Sequence, residues 1–119
     1  MMLKYSRPGI INPEDERLWL MQLNYYLHLH ILNDLCLEKI LISLEQNDLW
    51  KNTIIIFTSD HGDQCGSHKL RSKGPWNYQE TMKVPMCIVS PEYNGPRETH
   101  NLTSHIDLAP TICSFVKSS

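Results

Sequence analysis

From Leu18 onward apolar side chains return every three or four positions, at Leu18, Met21, Tyr25, Leu29, Leu32, Cys36, Ile40 and Leu44. That period is the repeat of an α-helix and predicts one continuous apolar stripe. The segment NPEDERLW just before it carries helix-start chemistry: Asn12 as N-cap, Pro13 at the first helical position, then acids that suit the positive end of the helix dipole. The helix is expected to run to about residue 46, on the order of 50 Å at about 1.5 Å per residue. A break is allowed at Asn33-Asp34, and EQNDLWKN closes the helix with loop residues.

The period then changes. TIIIF (53–57) is a short β-branched run without alternation, the pattern of a parallel strand buried on both faces. VPMCIVS (84–90) is a second such run, with Pro85 tolerable only at its start. PEYNGPRETHN reads as loop, and IDLAPTICSFV as a closing helix with Asp107 as N-cap and Pro110 in the first turn. The order helix, strand, loop, strand, helix is α/β, a long helix followed by two parallel strands, with functional loops expected at the carboxyl ends of the strands. No internal repeat or low-complexity tract divides residues 1–119, which read as one domain.

Charge and cysteine usage remove several function classes. Eleven Lys and Arg stand against thirteen Asp and Glu, with both signs mixed along the chain, which is not the clustered basic footprint of a nucleic-acid binder. The most apolar stretch, LWLMQLNYYLHLHILNDLCLEKILISL, is interrupted by Gln22, Asn24, His28, His30, Asn33 and Asp34, so no membrane span is predicted. MMLKYSRPG lacks the apolar core of a secretory leader, and a cytoplasmic chain is the default expectation. Cys36, Cys65, Cys87 and Cys113 form no CxxC pair and are expected to be free thiols, three in core-type segments and Cys65 in a polar loop.

That polar loop, TSDHGDQCGSHKLRSK (58–73), follows directly on the first apolar run. Asp60 and His61 leave the strand side by side, and a carboxylate next to an imidazole is a pair able to hold a divalent cation. The carboxylate suits Ca²⁺ or Mg²⁺, and the imidazole extends the range to Mn²⁺ or Zn²⁺. Gly62 lets the chain turn away without a Cβ.

Several motifs then occur in one order: Ser59-Asp60-His61-Gly62, Gly66-Ser67-His68, Lys73, Tyr78-Gln79-Glu80, Val84-Pro85, and Ser104-His105-Ile106-Asp107-Leu108-Ala109-Pro110-Thr111. Together with the long helix and its short link into the strand, this order resembles the second half of the sulfatase catalytic domain, within the alkaline phosphatase superfamily. The resemblance covers nearly the whole chain from about residue 14. It implies a partial alkaline-phosphatase-like sandwich and a sulfuric ester hydrolase, with a sulfate ester as substrate. Asp60 and His61 would be two metal ligands, for Ca²⁺ in the first instance. Lys73, thirteen residues beyond Asp60, would contact the sulfate, and His68 would line the substrate pocket and assist proton transfer to the leaving alcohol. Both are therefore expected catalytic and substrate-binding residues.

Other residues take plainer roles. Lys69 and Arg71 are expected at the surface or the substrate rim, His28 and His30 at the edge of the long helix, and Trp76 and Tyr78 in the packing of the loop. His105 and Asp107 are expected to serve a helix start rather than a metal. Asn101-Leu102-Thr103 is a formal glycosylation sequon to which no weight is given.

One departure matters. Sulfatases carry a C-x-P-S-R or S-x-P-S-R segment whose first residue becomes the formylglycine nucleophile, and an earlier Asp pair. Here Cys36 precedes Leu-Glu-Lys, Cys65 Gly-Ser-His, Cys87 Ile-Val-Ser and Cys113 Ser-Phe-Val, and Ser6-Arg7-Pro8 has the wrong order. The chain is therefore expected to lack the nucleophile-bearing half and to be inactive by itself. Two ligands also fall short of the six to eight that Ca²⁺ takes. Two strands alone leave unpaired edges, which predicts either a longer protein or, as the favoured expectation, a homo-oligomer. The alternatives are a phosphonate monoester or phosphodiester hydrolase of the same superfamily, or a non-catalytic self-associating remnant.

Overall fold

Asp15 opens the long helix by accepting the backbone N–H of Leu18 at 3.2 Å, and Glu16 places an acid at the positive end of its dipole. Helix α1 then spans Glu16–Gln46 without a break at Asn33-Asp34, because no Gly or Pro interrupts a run of good helix formers. The expected start at Asn12 and Pro13 lies outside the residues that this computed structural model describes, which are 9–10, 15–93 and 95–117. At the other end the Asn47 side chain donates to the Ser43 carbonyl at 2.7 Å, and Asp48 turns the chain with φ 53°.

Trp19, Gln22, Tyr26, Leu37, Leu41 and Leu44 are half-buried and form the inward row of α1. The apolar stripe read from the sequence is exposed from Leu18 through Ile40, Met21 by 59%, and only Leu44 of it joins the inward row. The sequence is apolar on more than one side of the helix, so period alone does not select the inward face.

Strand β2 covers Ile55–Thr58 and strand β4 Met86–Val89. They pair antiparallel, with Ile55 opposite Val89 and Thr58 opposite Met86, which corrects the expected parallel arrangement. A parallel return needs a crossover of a dozen or more residues, usually a long helix, to carry the chain back to the starting edge. Between β2 and β4 the only α-helix is the four-residue α2, Gln79–Met82, and the chain re-enters beside the point where it left. The apolar runs fix neither direction nor burial: β2 is mostly half-buried and β4 mostly exposed, which also corrects the expectation of strands buried on both faces. The two-residue strands β1 (Gly9–Ile10) and β3 (Leu70–Arg71) add a second antiparallel ladder that periodicity does not reveal.

The closing helix α3, Leu108–Lys117, is preceded by a 3₁₀ turn over His105–Asp107. Its cap is Ser104 rather than Asp107. The two form a reciprocal capping box, in which the Ser104 N–H donates to Asp107 Oδ2 at 2.8 Å.

Among the described residues Leu70 is the one buried apolar side chain, beside the buried polar Gln64, Thr81 and Ser90. The accessible surface is 10147 Å², against about 6,700 Å² for a compact chain of this size. The radius of gyration, 18.6 Å, likewise exceeds the roughly 13.5 Å of a compact domain. No helix among the described residues is long and apolar enough to cross a membrane.

Candidate functional site

The chain leaves β2 through Ser59, whose hydroxyl donates to the His61 carbonyl at 2.7 Å. The Ser59 carbonyl in turn accepts from His105 Nε2 at 2.7 Å, a bond that ties the start of the closing helix to the strand exit. His105 thus anchors the helix start. Asp60 is bent back by its own neighbour: Oδ1 accepts the His61 N–H at 3.0 Å.

The His61 ring donates from Nδ1 to the Gly62 carbonyl at 2.9 Å, which leaves the Nε2 lone pair 3.3 Å from Asp60 Oδ2. A histidine that ligates a metal usually gives its second ring N–H to a carbonyl in this way, fixing the tautomer with the lone pair outward. Asp60 Oδ2 and His61 Nε2 are therefore donors placed side by side, and the pair fits two corners of a cation site. Among the described residues no third His, Cys, Asp or Glu joins them in a metal-holding group.

Beyond Gly62 the loop presses directly on α2. The Gly62 N–H donates to the Thr81 carbonyl at 2.8 Å, and a Cβ on Gly62 would lie 1.9 Å from the Glu80 carbonyl oxygen. Gln64, 1% exposed, donates its amide to Thr81 Oγ1 at 2.5 Å and fixes the same seam from inside.

Residues 64–72 then close on themselves, with Gln64 N–H bonded to Ser72 O at 3.2 Å and Gly66 N–H to Leu70 O at 2.9 Å. Four non-glycine residues of this loop, Cys65, His68, Lys69 and Ser72, sit at φ between 44° and 59°. Each costs on the order of 1 to 2 kcal/mol, so the loop needs strong local ties. Asp63 supplies them. Its Oδ1 accepts the Cys65 N–H at 2.8 Å and the Ser72 N–H at 3.1 Å, clamping both ends of the loop with charge-assisted bonds. From α1, Trp19 lies against Gly66, where a Cβ would come within 2.8 Å of its ring.

This loop presents His68 and delivers Lys73. The His68 ring stacks on Tyr78 with centroids 3.8 Å apart and planes 11° from parallel, and its Nε2 lies 3.6 Å from Glu80 Oε2. Lys73 is exposed and makes no hydrogen bond or ion pair among the described residues. It follows Ser72, the residue that Asp63 holds. Trp76 packs over Gly74.

An open cleft of about 790 Å³ lies between α1, the end of β2 and α2, lined among others by Tyr26, Asp34, Phe57, His61, Glu80 and Lys83. Of the four expected site residues His61 lines it, whereas Asp60, His68 and Lys73 stand outside its lining. The structure thus brings Asp60 to His61 and His68 to Glu80, with Glu80 and His61 facing one cleft. It shows no contact between Lys73 and the other three.

Sequence reasoning missed Asp63 and Glu80. Nothing in the spacing marks Asp63 as a clamp. Glu80 was noted within a motif but had no role.

The electrostatics of the loop follow from these contacts. Glu80's own backbone N–H, then the Ser67 hydroxyl and His68, hold its carboxyl below the ordinary 4.5. Burial, followed by the hydrogen bond to and charge of Asp63, pushes the Cys65 thiol up to about 11, against an opposing bond from Tyr26. Burial, with the charges of Cys65 and Asp63, raises Tyr26 as well.

The signs define a window. A lowered carboxyl contributes stability that is present above 4.5 and lost as pH falls through its folded value. A raised thiol contributes stability present below 9.0 and lost as pH rises through about 11. The indole signal of Trp19, seated on Gly66, is therefore expected to move as pH rises past 9.0 toward about 11 in an NMR titration. A signal that stays flat through that range would show that the Cys65 thiol does not govern the loop.

The sulfatase family model matches residues 6–118. The chain belongs to the sulfatase family. It is 43% identical over 65 residues to an uncharacterized sulfatase, YidJ, of Escherichia coli, a match that covers 55% of this chain and 13% of that protein. To a multifunctional alkaline phosphatase superfamily protein, PehA, of Trinickia caryophylli it is 34% identical over 85 residues, 70% of this chain and 16% of that one. To the dog arylsulfatase K it is 33% identical over 79 residues, 66% and 15% of the two chains. No solved structure matches. This sulfatase-family chain spans between 13% and 16% of the length of these relatives.

Proposed function

We propose that this chain supplies part of the metal- and oxyanion-binding side of a sulfuric ester hydrolase. The observation that carries the reading is the Asp60–His61 pair, with Nε2 3.3 Å from the carboxylate, at the strand exit of a sulfatase-family chain. Asp60 Oδ2 and His61 Nε2 hold a divalent cation, Ca²⁺ in the first instance, which when bound offsets negative charge gathering on the ester oxygens. Lys73 brings a mobile ammonium to the sulfate. His68, braced by Tyr78 and faced by the Glu80 carboxylate, gives a proton to the leaving alcohol oxygen.

Calorimetry with Ca²⁺ and Mn²⁺ tests the ligand roles. Heat of binding is expected from the wild-type chain and a loss of at least tenfold in affinity from Asp60→Ala. Equal heats from both proteins would remove the assignment.

A second reading, hydrolysis of a phosphate or phosphonate ester, is favoured by the likeness to the superfamily protein of Trinickia caryophylli. Sulfate and phosphate are both tetrahedral oxyanions, and the Asp60–His61 to Lys73 spacing serves either. Titration of the Ca²⁺-loaded chain with each anion separates them, with sulfate expected to bind more tightly.

A further inference from the structure

The imidazole of His68 has two nitrogens, and a proton role leaves open which of them serves the ester. Tyr78 does not decide it. A ring stacked at 3.8 Å and 11° keeps its plane when it turns over by half a revolution about χ2, a torsion with two broad wells. That turn exchanges the edges of the ring without loosening the stack. A partner at one edge has to choose between them.

Glu80 stands at that edge. Its Oε2 lies 3.6 Å from His68 Nε2, and the Ser67 hydroxyl donates to the same carboxylate. Consecutive side chains diverge along an extended backbone. At φ 56° on His68 the loop departs from that geometry, and Ser67 and His68 both address one acid. Glu80's own N–H, the Ser67 hydroxyl and His68 keep its carboxyl below the ordinary 4.5, so at neutral pH it only accepts. The nitrogen facing it, Nε2, therefore carries hydrogen. Nδ1 makes no hydrogen bond among the described residues, and the side chain is 44% exposed. An ion pair so open to water adds little to stability. What it changes is orientation. His61 shows the opposite arrangement, with Nδ1 donating to the Gly62 carbonyl.

We propose that Glu80 is a positioning residue, which holds the Nε2–H of His68 and so makes Nδ1 the nitrogen that passes the proton to the leaving oxygen of the ester. The inference rests on the role proposed for His68. In the protonated ring both nitrogens carry hydrogen. The Nδ1–H bond breaks and its proton joins the alcohol oxygen, which keeps the electron pair of the broken S–O bond. The sulfur passes to an oxygen nucleophile from outside this chain. The ring ends neutral, with Nε2–H still on Glu80.

Long-range proton–nitrogen correlation on the ¹⁵N-labelled 119-residue chain reads the tautomer, at about pH 8, above the ordinary imidazole range. His68 is expected almost wholly as Nε2–H. Glu80→Gln puts there an amide that can either accept from Nε2 or donate to it. It is expected to raise the Nδ1–H form at least threefold, on the scale of one charge-assisted bond, while the Cys65 and Ser72 amides held by Asp63 stay in place. Ser67→Ala loosens the carboxylate without removing it and is expected to act in the same direction by less. Tyr78→Leu is expected to leave the tautomer as it is. A mixed tautomer in the wild type, or one that neither Glu80→Gln nor Ser67→Ala alters, overturns the proposal. So does a tautomer set by Tyr78. These readings need neither metal nor ester, so they stand apart from the Ca²⁺ calorimetry. With 4-nitrophenyl sulfate added to the Ca²⁺-loaded chain, the Nδ1 resonance is expected to move more than that of Nε2, and the reverse overturns the proposal. Movement of neither, with the tautomer as expected, removes the proton role of His68 and supports the orienting role of Glu80 alone.

Discussion

Replacing Gly62 with alanine is expected to separate the site loop from α2, at a cost of about 3 kcal/mol or more. The added Cβ would lie 1.9 Å from the Glu80 carbonyl oxygen, 3.0 Å from its carbon and 3.5 Å from the Thr81 Cα. All three are backbone atoms, so no rotamer change relieves the contact. Either α2 moves by more than an ångström or the Gly62 N–H to Thr81 O bond, 2.8 Å long, is given up. Gln64 shares the seam, and a shift exposes its buried amide to water. The Glu80 carboxylate would leave His68, and the cleft face shared with His61 would open. A lowered melting temperature and fast exchange of the Gln64 and Thr81 amides are the checks. Gly95→Ala is the control. Gly95 has φ +81° and nothing within 4 Å of its Cβ position, so alanine there meets backbone strain alone and is expected to cost about 1 kcal/mol. Equal effects at the two positions would show that close approach is not what fixes Gly62.

The helices and the main strands were legible because their signals are local. A 3.6 period over some thirty residues leaves no choice but α1, and two short β-branched runs bounded by polar segments leave little choice but strands. What failed to show was relational. The inward face of α1 is selected by Trp19 resting on Gly66 and by Tyr26 beside Cys65, contacts with a loop some forty residues away. The strand direction depends on how residues 59–85 return, and neither β run encodes it. The cap of the closing helix could have been read correctly. Ser104-His105-Ile106-Asp107 has the S-x-x-D form of a capping box, in which the first residue caps and the fourth answers it.

The candidate site divides in the same way. The placement of Asp60 and His61 at a strand exit was readable from the order of residues, as was the packing role of Tyr78 and Trp76. The clamp at Asp63 was not, since it reaches one N–H two residues on and another nine residues on, the second visible only once the loop is closed. Nor was the pairing of His68 with Glu80, which depends on α2 folding back over the loop. Those two contacts, more than the motif itself, give the loop its shape.

The 119-residue chain is expected to hydrolyse an aryl sulfate ester no faster than buffer. Covalent catalysis needs an activated nucleophile close to a base or a cation. Cys65 is the cysteine within the site loop, and its thiol is pushed up to about 11, so at neutral pH about one molecule in ten thousand carries the thiolate. The burial and the Asp63 charge that raise it also make it a poor partner for an anionic ester. Cys36 and Cys113 lie on α1 and α3, and Cys87 lies on β4 opposite Phe57; none of the three belongs to a C-x-P-S-R segment. What the loop offers is two donors for a cation, an imidazole and an ammonium, which can bind and polarise an ester but do not supply the family's formylglycine nucleophile. Binding and turnover should therefore part company: calorimetric heat with Ca²⁺, and a flat trace with 4-nitrophenyl sulfate at pH 5 to 9. Turnover well above the blank that survives Cys65→Ala would place a nucleophile among residues given no such role here. Turnover abolished by that substitution would mean that in solution the Tyr26 bond outweighs the burial and the Asp63 contact that raise the thiol.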